Sequence, residues 1–288
     1  MLDCIIVGSG VAGISVALTL KANGKTFMML GSKDLSEKIT KAEEIRNYPA
    51  FVGVSGKEFA KILLEQLKTE DIEITEGRVN GVYAMKDKFV VTTQDGGMYE
   101  SKTVALACGV ESGKRIVGEN EFLGRGVSYC ATCDGMFYKN KKIAVVCLAK
   151  KFEHEAKYLT DLAEKTYLFP LYKGCELTGE NIEKILKMPS KILGEKRVNA
   201  ILYEEKGESK HLDVDGVFIL KEGLPPESIA FGVETDGVSV KVDRAMRTNL
   251  KGCFACGDIT GRPYQYAKAV GEGNVVAHSI VEFLNEQE

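Results

Sequence analysis

At 288 residues, the chain is long enough for two domains and a sizeable core. Hydrophobic residues make up 44% and charged ones 27%, the balance of a soluble globular protein, and a net charge of −3 gives no general reason to expect nucleic-acid or membrane binding. Eight cysteines, several within apolar stretches (Cys4, Cys108, Cys147), suit a reducing cytoplasm better than a disulfide framework, and no apolar run reaches membrane-spanning length.

The segment Cys4-Ile-Ile-Val-Gly-Ser-Gly-Val-Ala-Gly13 predicts a buried strand opening into a glycine turn. A helix over 14–22 and a strand over 26–30 follow. Gly8, Gly10 and Gly13 form G-x-G-x-x-G between strand and helix, the setting in which backbone amides can hold a pyrophosphate. Alone the motif is weak; with both flanking elements it reads as a dinucleotide-binding turn. The second strand ends in Leu30-Gly31 rather than in the acid that usually holds a ribose, so this motif leaves the nucleotide open. After the Pro-punctuated loop Arg46-Asn-Tyr-Pro-Ala50 comes a helical period over 59–68, with Ile62, Leu63 and Leu67 on one side. Strands are predicted at 73–75, 88–93 and 103–107, the last ending at Cys108-Gly109, and Asp95-Gly96-Gly97 marks a hairpin turn.

Gly109–Gly113 and Glu234–Gly237 read as hinges. They divide the chain into one domain of residues 1–112 and 238–288 and an insert, 113–237. The insert has its own strand–helix–strand pattern over 142–148, 152–165 and 166–169, completed by strands near 197–203, 211–214 and 216–220. The expected fold is α/β, with two dinucleotide-binding-like, Rossmann-type, three-layer domains, the second inserted into the first. The insert's first strand is followed by Ala149-Lys-Lys-Phe-Glu-His154, with no glycine, and Pro170-Leu-Tyr-Lys173 brings no arginine pair for a 2′-phosphate. Side chains stand where a pyrophosphate must approach backbone, so this second site is expected to be closed.

Past the second hinge, 238–242 is strand-like, and Gly252-Cys-Phe-Ala-Cys-Gly-Asp258 reads as a buried strand ending at an acid able to accept hydrogen bonds from a ribose or polyol. The last helix is placed from about Gly271 to Asn285, with Val275, Val276, Ile280, Phe283 and Leu284 on an apolar face. Its glycine-bearing start, Gly271-Glu-Gly-Asn274, either approaches a flat cofactor or simply caps the helix. Cys253 and Cys256 form a C-x-x-C on a strand, where positions three apart point to opposite faces. They are read as buried small hydrophobes, and no metal ligands are assigned. His154 and His278 have no acid partner in sequence and are read as solvated or packing residues.

Cys130 and Cys133 make the other C-x-x-C, with Asp134 directly after it. Such a pair can close and reopen a disulfide if one thiol is activated; on spacing alone a structural metal half-site or two buried thiols stay open. Were residues 134 onward helical, Cys133 would lie at a helix N-terminus, whose dipole favours a thiolate. Asp134 is then a candidate proton donor or acceptor.

Together these pieces resemble the low-molecular-weight thioredoxin reductases nearly end to end. The resemblance is carried by Gly8-Ser-Gly-Val-Ala-Gly13, Asn47-Tyr-Pro49, Ala107-Cys-Gly109, Gly124-Arg-Gly-Val127, Cys130-Ala-Thr-Cys-Asp-Gly135 and Phe254-Ala-Cys-Gly-Asp258. It implies FAD, with Gly8, Ser9, Gly10, Ala12 and Gly13 at the pyrophosphate and Gly257 and Asp258 at the ribityl phosphate arm. Asn47, Gly109 and residues 264–267, including Tyr266 and Ala267, would lie near the flavin. It also implies Cys133 facing the flavin, Cys130 attacking the partner's disulfide, Asp134 as acid/base, thioredoxin as that partner, and a homodimer. The family's glycine-rich NADPH turn is replaced by Cys147-Leu-Ala-Lys-Lys-Phe152, its 2′-phosphate motif by the Leu171-Tyr-Lys173 region, and Tyr266 stands where the family usually has Gln. A kept dithiol without an NADPH site is similar to the ferredoxin-dependent flavin thioredoxin reductases. Ferredoxin is then the expected donor, docking at a basic patch assigned to Lys139, Lys141, Lys142, Lys150 and Lys151 around the vacated nucleotide site; an NADPH-dependent thioredoxin reductase with a degenerate nucleotide site, or a flavin–dithiol redox sensor without turnover, stays open as the alternative.

Overall fold

The computed structural model describes residues 1–110, 116–221 and 225–287, with Glu37 described in its backbone alone. The chain divides into two compact units, residues 1–111 with 225–288, and residues 112–224.

The first half of unit 1 runs β1 (Leu2–Val7), α1 (Val11–Ala22), β2 (Phe27–Gly31), α2 (Glu37–Thr40), α3 (Gly56–Thr69), β3 (Ile74–Glu76), β4 (Val79–Ala84), β5 (Phe89–Thr93) and β6 (Met98–Leu106). Unit 2 contributes β7 (Val127–Ser128), α4 (Ala131–Asp134), β8 (Lys142–Cys147), α5 (Glu153–Leu162), β9 (Lys165–Pro170), β10 (Ile182–Lys184), β11 (Pro189–Gly194), β12 (Val198–Glu205), β13 (Glu208–Asp213) and β14 (Gly216–Leu220). The chain then returns to unit 1 with α6 (Pro226–Ile229), β15 (Cys253–Ala255) and α7 (Tyr266–Asn285).

In unit 1 the strand order is β3-β2-β1-β6-β5-β4. The first four strands are parallel and β5 and β4 antiparallel. β6 is long enough to serve two neighbours: residues 98–101 pair with β5, while 104–106 take β15 in parallel. The carboxyl ends of β1, β2, β6 and β15 therefore share one edge, where open α/β sheets bind ligands. Cys4 and Ile6 of β1 pack in one core with α1, α3 and α7, while Ile5 and Val7 are buried on the opposite face. Both faces are covered, which explains the continuous apolar run.

In unit 2 the parallel order is β10-β9-β8-β14-β7, and β11-β12-β13 form a separate antiparallel sheet. The insert's core joins Ile143, Val145 and Cys147 of β8 to Phe218 and Leu220 of β14 and to Ala156 and Leu159 of α5.

Three expectations change. Residues 225–237 pack in unit 1: Ala230 bridges Val82, and the Phe231 N–H donates to the Val82 carbonyl at 3.2 Å. Glu234–Gly237 is accordingly a turn within that unit, closed by Asp236 Oδ1 accepting the N–H groups of Val238 (3.1 Å) and Ser239 (2.8 Å). Of the other expected hinge, residues 111–113 lie outside the described residues. Second, 238–242 forms no strand, only an isolated Thr235–Val240 bridge. Third, α7 begins at Tyr266, so Gly271 and Gly273 are helix-interior. A Cβ on Gly273 would lie 2.4 Å from the Ala12 carbonyl oxygen: this glycine serves close α1–α7 packing. Among the described residues no helix is long and apolar enough to cross a membrane.

Candidate functional site

The turn after β1 is built by exclusion. Gly8 has φ +117°, and a Cβ there would meet the Ala107 carbonyl oxygen at 2.4 Å, at the end of β6. A Cβ on Gly13 would lie 2.0 Å from the Gly8 carbonyl oxygen. Gly10 differs: nothing stands within 4 Å of its Cβ position. Gly10 caps α1 without a side-chain hydrogen bond, and the first turn of α1 holds no acid. The leading amides of α1 thus have neither a side-chain cap nor an acid beside them, the arrangement that accepts an anion. Ser9 is buried and turns its hydroxyl to the Ser32 carbonyl at 2.8 Å. That hydroxyl lies 2.5 Å from where a Gly31 Cβ would be, which explains why β2 ends in glycine instead of an acid. Ala12 directs its methyl toward Gly257, 2.9 Å from that glycine's Cβ position, so its side chain packs the turn together.

The same edge gathers the other candidates. Lys38 Nζ and Asp258 Oδ2 are 3.3 Å apart, and a Cβ on Gly109 would lie 3.8 Å from that ammonium. Asn47 donates to Gln265 Oε1 at 2.6 Å, so the neighbour of Tyr266 supplies the amide contact. Tyr266 packs its ring on Phe59 (5.7 Å between centroids) and donates its hydroxyl to the Lys38 carbonyl at 2.9 Å. Burial, then the Asp258 carboxylate, hold the Tyr266 phenol above its ordinary pKa. Ala267 is exposed on the first turn of α7.

Sequence reasoning passed over Lys268 and Glu272, which hold the Gly257 turn in shape. Lys268 Nζ donates at 2.9 Å to the carbonyls of Gly257 and Gly261 and to Thr260 Oγ1, and at 3.1 Å to Glu272 Oε2. Glu272 Oε2 also accepts the Gly257 N–H at 2.9 Å and the Thr260 hydroxyl at 2.8 Å. The visible signal was their i,i+4 spacing on the last helix.

In unit 2, Cys130 and Cys133 are joined as a disulfide. The helix begins at Ala131, between the two cysteines, so Cys130 is the N-cap and Cys133 lies within the helix, correcting the expectation for Cys133. Its Sγ accepts the Cys133 N–H at 3.2 Å, while the Cys130 N–H donates to Ser128 Oγ at 3.1 Å. Cys130 is 9% exposed, Cys133 is exposed, and Asp134 is half-buried. Below this turn lies a buried ionic cluster that the sequence did not disclose. Glu119 Oε1 pairs with Lys221 and accepts the Tyr129 hydroxyl at 2.6 Å, and its Oε2 accepts the Ile116 N–H at 2.8 Å.

The corresponding edge of the second sheet is built without a glycine turn. β8 leads through Leu148 and Ala149 into a short 3-10 turn, Lys150–Phe152, and then α5, whose first turn carries Glu153 and Glu155. Glu153 Oε1 accepts the Tyr172 hydroxyl at 2.8 Å, and Lys150 pairs with Glu176 at 2.9 Å. The five-lysine patch is not one patch. Lys139, Lys141 and Lys142 precede or begin β8, and Lys150 and Lys151 follow it. Five strand steps of ~3.3 Å separate the two ends of β8 by roughly 17 Å, so these lysines stand at opposite edges of the sheet. Cys253 and Cys256 are 1% and 0% exposed, and burial pushes the Cys253 thiol up to about 12 and raises that of Cys256 as well.

The chain belongs to the pyridine nucleotide-disulphide oxidoreductase family, whose model matches residues 2–147 and 176–273. Within that family it is of the thioredoxin reductase type. It is 34% identical to the thioredoxin reductase of Aquifex aeolicus, over 98% of this chain and 93% of that one. A crystal structure of a ferredoxin-flavin thioredoxin reductase from Clostridium acetobutylicum is 42% identical, covering 99% of this chain and 98% of that one at a TM-score of 0.87. A thioredoxin reductase from Gloeobacter violaceus is 30% identical, covering 100% and 95% at a TM-score of 0.78.

Proposed function

We propose that this protein is an FAD-containing thioredoxin reductase whose electrons come from reduced ferredoxin, with Cys130 and Cys133 as the redox pair. The observation that carries the donor assignment is the contrast between α1 and α5. Neither helix start has a side-chain cap, but α1 opens beside an unobstructed Gly10 with no acid in its first turn, whereas the first turn of α5 carries Glu153, bonded to Tyr172, and Glu155. A pyrophosphate at that helix start would face two carboxylates, so a pyridine nucleotide is disfavoured there. The likeness to the ferredoxin-flavin enzyme of Clostridium acetobutylicum supports the same donor.

In this reading Gly8, Ser9, Gly10, Ala12 and Gly13 hold the FAD pyrophosphate. Gly257 and Asp258 meet the ribityl arm, and Asn47, Gly109, Tyr266 and Ala267 surround the ring end. Bound there, FAD would take electrons singly and yield them as a pair. Two electrons and two protons convert the Cys130–Cys133 disulfide to two thiols. The Cys130 thiolate, favoured by the Cys133 N–H, attacks one sulfur of the thioredoxin disulfide and expels the other as thiolate. Cys133 then attacks the Cys130 sulfur, which re-forms the ring and releases thioredoxin as a dithiol. Asp134 in the same turn is the group to move the protons. Because Cys130 is buried in this arrangement, it must be uncovered before exchange.

The test is anaerobic flavin spectroscopy against NADPH, NADH and reduced ferredoxin in parallel. Bleaching by ferredoxin alone is expected; rapid bleaching by NADPH would remove the donor assignment. Cys130→Ser should keep flavin reduction and abolish thioredoxin reduction.

A further inference from the structure

The carboxyl edge of the second sheet holds two free thiols, Cys147 and Cys175, that the proposed reaction does not use. Cys147 ends β8, where the turn has no glycine, and Cys175 is half-buried on the loop between β9 and β10. Register brings the two together. Cys147 pairs with Pro170 across the sheet, and its carbonyl accepts the Leu171 N–H at 2.8 Å. Glu153 Oε1 then accepts the Tyr172 hydroxyl at 2.8 Å and the Glu176 N–H at 3.4 Å, which holds both sides of Cys175 to the start of α5. Cys175 and Tyr172 pack on the core that contains Cys147, and the Tyr172 hydroxyl is hydrogen-bonded to both sulfurs.

The two thiols are unequal. Cys147 is 0% exposed, donates to the Ala149 carbonyl at 3.5 Å, and is pushed by burial up to about 11, so it stays protonated. Cys175 reaches solvent, so an oxidant in solution meets it first. Closing a disulfide brings two Cα atoms within roughly 7 Å. Cys175 lies outside helix and strand, directly after Gly174, whose Cβ position has nothing within 4 Å, so the loop has room to adjust.

We propose that Cys147 and Cys175 are a second oxidisable thiol pair, distinct from Cys130–Cys133, which hydroperoxides convert to a disulfide. The Cys175 sulfur attacks the hydroperoxide: the O–O bond breaks, Cys175 becomes a sulfenic acid, and an alcohol leaves, or water where the oxidant is hydrogen peroxide. The Cys147 sulfur then attacks the Cys175 sulfur. The S–S bond forms, the S–O bond breaks, and the Cys147 proton leaves with the hydroxyl as water. The two thiols together lose two electrons, which the peroxide takes up. This assignment depends neither on the electron donor nor on FAD.

The experiment treats the reduced, desalted full-length protein with hydrogen peroxide, blocks the remaining thiols with iodoacetamide under denaturing conditions, and maps unreduced peptides by mass spectrometry. Wild type should yield the peptide of Cys147 joined to that of Cys175, with both thiols lost to alkylation and both recovered after dithiothreitol. C175S should leave Cys147 alkylated, and C147S should leave Cys175 as a sulfenic acid trapped by dimedone. Wild type in which Cys175 passes to sulfinic acid while Cys147 stays alkylated overturns the pairing. So does linkage of Cys175 to Cys4, Cys108, Cys253 or Cys256 at equal yield, or no loss of Cys175 at peroxide levels that oxidise the Cys130–Cys133 dithiol. The wild-type map needs no variant, so it decides the matter even where C147S fails to fold.

Discussion

Glu119 and Lys221 form an ion pair whose side chains are 1% and 4% exposed, joining positions 102 residues apart. Lys221 Nζ also stands 4.9 Å from the centre of the Tyr129 ring, and Tyr129 immediately precedes Cys130. The pair ties the end of β14 to the loop before β7 and to the base of the dithiol turn. Removing one member of a buried pair strands the other charge, at ~3–5 kcal/mol. Lys221→Met should lower the stability measured by urea unfolding by that order, and Glu119→Gln combined with Lys221→Met should cost less than the two single changes added. A Lys221→Met loss under about 1 kcal/mol would mean that the pair contributes little.

Two glycines of one motif should fail in different ways. Gly13→Ala sets a methyl 2.0 Å from a carbonyl oxygen, so the turn must shift, and both thermal stability and flavin content should fall. Gly10→Ala meets no protein atom within 4 Å and should lower the thermal midpoint of flavin-free protein only slightly, by an N-cap change of about 1 kcal/mol or less, far below the Gly13→Ala loss. Its methyl fills the space ahead of the helix amides, so FAD affinity should drop about tenfold or more, which is ~1.4 kcal/mol of binding. Equal FAD affinity in Gly10→Ala and wild type would place the pyrophosphate elsewhere.

The Lys268–Glu272 clamp predicts a linked loss. Glu272→Gln keeps the shape but leaves the Lys268 ammonium partly buried without its charged partner, a cost of ~1–3 kcal/mol. Because Glu272 holds the Gly257 N–H, flavin retention in ultrafiltration should fall along with the urea midpoint. Lowered stability with full flavin retention would separate the clamp from the site.

Acid sensitivity should have a component at Asp3. Burial alone would raise its pKa, but a hydrogen bond from Lys102, bonds from the Thr26 backbone and hydroxyl, and the Lys102 charge bring it down to about 2. A depressed carboxyl pKa stabilises the fold fully above the unfolded value of 3.8, and that contribution fades as pH falls from there toward 2. Wild type should therefore exceed Asp3→Asn in urea stability by on the order of 1 kcal/mol at pH 6, given the solvent screening of a surface pair. The gap should narrow between pH 4 and 3; a gap constant over that interval would assign the effect to packing.

What the linear chain declared by itself was set within a few residues. Gly8, Gly10 and Gly13 mark a tight turn between strand and helix, C-x-x-C spacing allows a small disulfide ring, and Ala149-Lys-Lys-Phe152 shows a turn without glycine. Such features follow from local sterics and bond reach; the class of the protein rests on the family resemblance of the motifs that contain them. The division of the lysines between two ends of β8 is also legible, since a strand lies between Lys142 and Lys150 and proximity in sequence across a strand is not proximity in space.

Tertiary structure alone decided which distant groups meet: Lys38 with Asp258, Asn47 with Gln265, Glu119 with Lys221, and Gly273 with Ala12 on a neighbouring helix. It also decided that Cys130 caps the dithiol helix and that residues 225–237 pack in unit 1. These outcomes depend on which strand ends the crossovers bring to one edge and how closely two helices approach. That is a balance of packing across the whole unit, and it leaves no mark in the spacing of neighbouring residues.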